Sequence, residues 1–300
     1  MKHIPVLLNK VIEYLDPKPG EFIIDGTLDG GGYAEAILKR LGSSGRFLGI
    51  DWDWAMVRKV HKTLEPYEHK GITISLVNDN FVNLPGLLER ESLPKADGLV
   101  LDLGFSSEQL EGSQRGFSFE KDEPLLMTYS DETKPVKKIL HELSAAELEE
   151  IIRNFSQERF AGKIAQAIKQ EEKQRSIETT GRLAQIIKSA VPKNYERGRL
   201  NPATRTFLAL RIYANGELEN LEGTLKNLDS ILKVGGRAVI IAFHSLEDRL
   251  VKNYFRDFKK VDKVKILTTK PLRPSPEEIK ANPRSRSAKL RAAVVLNPES

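Results

Sequence analysis

Three aspartates stand at or near the ends of short apolar runs, and their surroundings suit ligand chemistry. Asp25 closes the run 21–25 and leads into Gly26-Thr27-Leu28-Asp29-Gly30-Gly31-Gly32-Tyr33. Glycines in such a turn let the backbone approach a ligand closely and adopt positive φ, although they also serve plain strand-to-helix corners. Asp51 ends the run 46–51, 26 residues after Asp25, where an acid suits the two hydroxyls of a ribose. The pair points to a nucleoside-bearing cofactor. The loop lacks a clean Gly-x-Gly-x-x-Gly fingerprint, and Asp29 inside it would repel a pyrophosphate. Asp25 likewise suits a cationic group better than a phosphate. Both features favour S-adenosylmethionine (SAM), with its ammonium and sulfonium charges, over NAD. Asp102 lies in the run 98–103, and ligands of doubly wound sheets bind outside the carboxyl ends of the strands. The segment Asp102 to Gln109 is therefore expected to face the cofactor.

Other chemistries are excluded by composition. There is no Cys in the 300 residues, so there is no disulfide, thiol nucleophile or zinc-thiolate site. The five His are scattered and none has metal-ligand spacing, so no metal is expected. Neither is a membrane span, because the longest apolar run, 238–243, falls far short of the roughly twenty residues required. The first residues lack a signal-peptide core, and the expected address is cytoplasmic. Net charge is +5, unevenly spread: residues 263–291 hold nine Lys/Arg against two Glu. A second basic stretch contains Lys193, Arg197, Arg199, Arg205 and Arg211. Such patches suit a polyanion partner, and equally a solvated charged face.

The elements that must position these residues alternate along the chain. Strand-like runs at 21–25, 46–51, 72–77 and 98–103 are separated by helical patterns at 34–41, 54–64 and 84–91. Runs this apolar imply a parallel sheet covered on both faces. From about 110 to 213 the alternation gives way to loops and amphipathic helices such as 144–155, 158–170 and 179–190, with Ser144 and Glu147 spaced as a capping box. It resumes with a helix at 217–232, a turn at Gly235-Gly236 and a strand at 238–243. Ser245 and Asp248 suggest another capping box opening a helix to about 258, and runs at 264–269 and 292–296 complete the sheet. The expected architecture is α/β, a Rossmann-like doubly wound sheet interrupted by a helical insertion. Its domains are 1–109 with 214–300, and 110–213.

Along nearly its whole length the chain resembles the bacterial small-subunit (16S) ribosomal RNA cytosine-N4 methyltransferases. The blocks carrying the resemblance begin with His3-Ile4-Pro5-Val6-Leu7-Leu8, Asp25-Gly26-Thr27 and Gly31-Gly32. Asp102-Leu103-Gly104-Phe105-Ser106-Ser107-Glu108-Gln109 and Arg115-Gly116-Phe117-Ser118-Phe119 follow. The later blocks are Pro202-Ala203-Thr204-Arg205-Thr206-Phe207, Ala209-Leu210-Arg211-Ile212, Phe243-His244-Ser245-Leu246-Glu247-Asp248-Arg249 and Asn282-Pro283-Arg284-Ser285-Arg286-Ser287-Ala288-Lys289-Leu290-Arg291. The resemblance implies a class I SAM-dependent methyltransferase acting on the exocyclic amine of a decoding-region cytidine, with the insertion recognising RNA. It implies SAM contacts at Gly31, Gly32, Tyr33, Asp51, Phe81, Asp102 and Gln109, with Asp51 on the ribose and Phe81 on the adenine.

Methyl transfer from a sulfonium has a neutral leaving group, so positioning and acceptors for the amine N–H groups matter most. Asp102 is the expected acceptor or orienter, and the Leu103 carbonyl a second acceptor. Phe105 is the candidate to stack on a cytosine splayed out of the RNA, or else an apolar packing residue. Arg205, Arg211, Arg284, Arg286, Lys289 and Arg291 are the candidate phosphate contacts. His244, before a helix start, reads as a structural hydrogen-bonding residue more readily than as a general base. The chain departs from the family pattern at Asp29 (usually Gly), Tyr33 (usually His), Leu126, Thr128, Leu208 and Ala242. These departures frame the alternative of a weakly active or inactive RNA-binding relative. Whether the chain forms a homodimer is open at this stage.

Overall fold

In the computed structural model, which describes residues 5–104, 113–195 and 200–297, the chain divides into two compact units. One comprises Met1–Ser106 and Leu218–Ser300, the other Ser107–Glu217.

The first unit is built in chain order from α1 (Leu8–Leu15), β1 (Phe22–Asp25), α2 (Gly32–Leu41), β2 (Arg46–Asp51), α3 (Trp54–Glu68), β3 (Thr73–Asn78), α4 (Leu84–Arg90) and β4 (Ala96–Asp102). The strands form one seven-stranded sheet with the later β5, β6 and β7, in the order β3-β2-β1-β4-β5-β7-β6. β1 to β5 are mutually parallel, and β7 runs antiparallel to both its neighbours. Both faces are covered, which explains why consecutive strand residues are apolar. Ile23, Phe47, Val100 and Val239 pack on one face with Leu15, Ile37 and Val60. Ile24, Leu48, Leu101 and Ile240 pack on the other with Leu87, Leu225 and Phe255. The chain winds from β1 outward to β2 and β3 and then returns to β4 on the opposite side. The carboxyl ends of β1 and β4 therefore flank the topological switch point, where such sheets open a crevice for ligand.

The second unit holds α5 (Val136–Glu142), α6 (Ala145–Ser156), α7 (Ala161–Glu172), α8 (Thr180–Ala190) and α9 (Ala203–Asn215). Its helices bury one stripe each, such as Leu148, Ile151 and Ile152 on α6 and Leu183, Ile186 and Ile187 on α8. α6 opens with the expected Ser144–Glu147 capping box, and α8 with the Thr179 hydroxyl accepting from the Arg182 N–H.

Back in the first unit the expectations need correction. The helix at 217–232 is two pieces, α10 (Glu217–Lys226) and α11 (Leu228–Ile231), broken at Asn227, whose side chain donates to the Gly223 carbonyl. β5 (Leu232–Ala242) starts well before 238, and Gly235, at φ 85°, lies inside it. The diglycine is thus a register shift rather than a turn: pairing slips between Ala96 and Gly98 of β4. The capping box of α12 (Ser245–Lys260) is formed by His244 and Glu247, one residue earlier than the spacing suggested. β6 (Val264–Ile266) is shorter than expected, and β7 (Lys289–Val295) begins three residues earlier; the short α13 (Pro276–Ala281) lies between them.

Candidate active site

Asp25, Asp51 and Asp102 occupy the last positions of β1, β2 and β4, and Asp29 lies in the loop leaving β1. That loop stays tied to the sheet: the Gly26 N–H donates to the Val100 carbonyl and the Leu28 N–H to the Ile50 carbonyl, each at 3.0 Å. The Thr27 hydroxyl accepts from the Asp102 N–H at 2.7 Å, fastening the end of β4 to the loop. Gly31, at φ 77°, is the N-cap of α2. At Gly32 a Cβ would come within 2.4 Å of Pro5 Cγ. Both glycines are therefore required by the chain itself: one by its left-handed turn, the other because the N-terminal segment lies against it.

All four acids are buried, and among the described residues none is in an ion pair. Asp51 accepts from the N–H groups of Asp53 (2.8 Å) and Asp29 (2.9 Å). Asp25 accepts from the Thr27 N–H at 3.2 Å. Oδ2 of Asp25 and Oδ2 of Asp29 have no hydrogen-bond partner among the described residues. Burial pushes the carboxyls of Asp25 and Asp29 well above the usual range, and the neighbouring acids add to the effect. Burial likewise raises Asp51 to about 7, against the two backbone N–H groups that favour its anion. Asp102 also rises to about 7 through burial, opposed by the Tyr33 hydroxyl.

Tyr33, fully buried on α2, ties this cluster to the N-terminal segment. Its Oη lies 2.6 Å from the Val6 carbonyl oxygen and 2.9 Å from Oδ2 of Asp102. A phenol has one proton and a carbonyl has none. Both contacts are hydrogen bonds at once only when Asp102 is protonated and donates to Tyr33, which then donates to Val6. When Asp102 ionises, the Tyr33 proton must turn to it and Val6 loses its donor.

The chemistry of this donor set suits a cation. Four clustered buried carboxyls without counter-charge would oppose a phosphate and welcome a ligand bearing ammonium and sulfonium groups. Comparison with known proteins agrees with this chemistry. Residues 1–295 match the family model described as the MraW methylase family. The chain belongs to the MraW methylase family. Curated members similar to it include proteins named "Ribosomal RNA small subunit methyltransferase H". The one from Thermotoga neapolitana is 44% identical, with 98% of this chain and 96% of that protein covered. The one from Trichlorobacter lovleyi is 42% identical, with 98% of each covered. The sheet is accordingly the class I SAM-dependent methyltransferase fold, and SAM is the cofactor of this MraW methylase.

The remaining residues expected to act are placed as follows. Phe81 opens a single 3-10 turn, Phe81–Asn83, after β3, and a Cβ on Gly26 would lie 3.3 Å from its Cβ, so Phe81 borders the loop after β1. Phe105 and Gln109 lie outside the described residues. His244 is the N-cap of α12, as its position suggested. Arg284 and Arg286 are exposed on the 3-10 turn Pro283–Ser287. Lys289 and Arg291 instead reach inward from β7 to Asp248 on α12, at 3.2 and 2.7 Å, and Arg291 is buried. In the second unit, Arg205 donates to the Tyr195 hydroxyl at 2.8 Å, and Tyr195 donates to the buried Glu158 at 2.6 Å. Arg211 pairs with Glu217 at 2.7 Å. Arg205, Arg211, Lys289 and Arg291 of this MraW methylase are thus engaged with other side chains of the chain. The roles of Thr27 and Val6 in fixing Asp102 and Tyr33 were not singled out from the sequence, although both lie in blocks that carry the family resemblance.

Proposed function

We propose that this chain methylates the exocyclic N4 of a cytidine in the decoding region of small-subunit ribosomal RNA. The observation that carries the reading is the cluster of buried, uncompensated carboxyls at the switch point of a methyltransferase sheet. The small-subunit substrate follows the printed names of its relatives, and the choice of cytosine follows the family resemblance. SAM, when bound, supplies an activated methyl group on a sulfonium, whose leaving group is a neutral thioether. Asp51 holds the ribose hydroxyls, and Phe81 packs on the adenine. Asp102 orients the amine by accepting one of its N–H groups, and the Leu103 carbonyl accepts the other. Tyr33 donates to Oδ2 of ionised Asp102, which leaves Oδ1 to accept the amine N–H beside that of Gly104. Unit Met1–Ser106 with Leu218–Ser300 binds the cofactor, and unit Ser107–Glu217 recognises RNA. Arg284 and Arg286 contact phosphates.

Calorimetric titration of SAM into wild type and Asp51→Ala, followed by mapping of methylcytidine in small-subunit RNA treated with each protein, tests this reading. Saturable binding and N4-methylcytidine with wild type, both lost in the variant, are expected. A wild type that binds no SAM, or that methylates RNA at another atom, would overturn it.

A further inference from the structure

Asp29 differs from the other three acids of the cluster. Asp25, Asp51 and Asp102 each end a strand and each accepts a backbone N–H. The Asp29 carboxyl has no hydrogen-bond partner among the described residues, although the residue is only 4% exposed. Its backbone is left-handed, at φ 47°, a conformation that penalises any residue with a Cβ. Asp29 therefore carries two costs in the ligand-free protein, an unpaired buried carboxyl and a strained backbone. Among the described residues its side chain has no hydrogen bond or ion pair in return. Such a group is explained if its partner arrives with the ligand.

The position of Asp29 says which part of the ligand that partner is. Its own N–H donates to Oδ2 of Asp51, at the ribose end of the site. Its carboxyl shares the buried acid cluster with that of Asp102, the residue assigned to the methyl-transfer end. In SAM the sulfur is bonded to the ribose and lies between the ribose and the methionine ends. Resting on the SAM reading of the site, we propose that Asp29 is a specificity-determining residue whose carboxylate pairs with the cofactor sulfonium and so selects SAM over the neutral thioether product. S-adenosylhomocysteine keeps the ammonium and carboxylate of SAM but has lost the charge on sulfur. Once the methyl has left, Asp29 is again an unpaired buried carboxyl, and the product is held more weakly than the substrate cofactor.

The test is calorimetric titration of the full-length wild type, Asp29→Asn and Asp29→Gly with three ligands. These are SAM, S-adenosylhomocysteine, and sinefungin, which has an amine in place of the methyl-sulfonium centre. Loss of a desolvated charge pair weakens binding about tenfold. SAM and sinefungin should each lose about tenfold in both variants, while S-adenosylhomocysteine changes by less than about twofold. Ligand-free Asp29→Gly should also melt at higher temperature than wild type, because both costs are relieved there, whereas Asp29→Asn keeps the Cβ and a buried polar group. Parallel weakening of all three ligands would assign Asp29 to the ammonium or to the frame of the site. That result, or no weakening at all, overturns this proposal alone. A wild type that binds none of the three overturns the cofactor reading, and this proposal with it.

Discussion

Tyr33→Phe isolates the proton chain that joins Asp102 to Val6. The substitution keeps the buried ring and removes one oxygen, leaving two buried oxygens, Val6 O and Asp102 Oδ2, without their common partner. A buried polar group left unsatisfied costs about 1–3 kcal/mol, so a loss of about 2 kcal/mol or more is expected. For a unit of this size that lowers Tm by about 4–8 °C. A purely structural role would end there. The Tyr33 hydroxyl also favours the ionised form of Asp102 and opposes the burial that raises it to about 7. Removing it should move that carboxyl higher still, by roughly one pH unit if the bond is a modest charge-assisted one. Ionised Asp102 is the better acceptor for an amine N–H, so single-turnover methyl transfer should rise with pH through about 7 in wild type. In Tyr33→Phe the same rise should fall at higher pH. The assay is methyl transfer to small-subunit RNA across about pH 5.5 to 9, beside melting curves of the same samples. A lowered Tm with an unmoved pH profile would refute the coupling, and a profile displaced to lower pH would reverse its sign.

Further outcomes follow from the same contacts. All four acids of the site are raised above their unfolded values, so the folded ligand-free protein binds more protons than the unfolded chain between about pH 4 and 7. Its stability should therefore fall as pH rises through that window. The Tm gain from saturating SAM should grow in step, and thermal melts with and without SAM check both. Arg291→Met leaves Asp248 with the mostly buried Lys289, at 3.2 Å, as its remaining ion-pair partner, and should cost about 3 kcal/mol by chemical denaturation with SAM affinity retained. Arg284→Gln and Arg286→Gln should weaken RNA binding evenly across RNA sequences. Each should flatten the logarithmic salt dependence by about 0.7, as measured by filter binding over a salt series.

The sheet was legible because strands covered on both faces must be apolar at successive positions, and 21–25, 46–51 and 98–103 are. Its later strands were harder to place. Gly235 and Gly236 have the composition of a turn, but pairing of Ala96 with Leu232 and of Gly98 with Arg237 draws them into β5 as an irregularity. That is a property of the partner strand rather than of the local sequence. Strand-end acids were legible for the same reason the sheet was, since Asp25, Asp51 and Asp102 stop three readable runs. The proton chain was not, because Val6 and Tyr33 are 27 residues apart and Tyr33 and Asp102 are 69 apart. Lys289 and Arg291 looked like surface charge in a basic stretch. Two residues apart on one strand, they share a face, and the fold puts Asp248 opposite that face.

The distribution of charge solves two opposite problems in one chain. The cofactor is attracted by negative charge, whereas the phosphates of an RNA substrate are repelled by it. Acids exposed in the crevice would serve the first and oppose the second. Here the four acids are 0–7% exposed and held toward their neutral forms, so the ligand-free protein presents little of their charge to solvent. On the proposed function, the exposed Arg284 and Arg286 meet an RNA without that opposition. When SAM enters, the acids that ionise are matched by the positive charge they have drawn in, and the field outside the site changes little. On that proposal, burial of the acids makes cofactor affinity depend on pH while leaving RNA affinity to the surface arginines. The two affinities should respond to different variables: SAM binding to pH and to Asp51 or Asp29, RNA binding to salt and to Arg284 or Arg286.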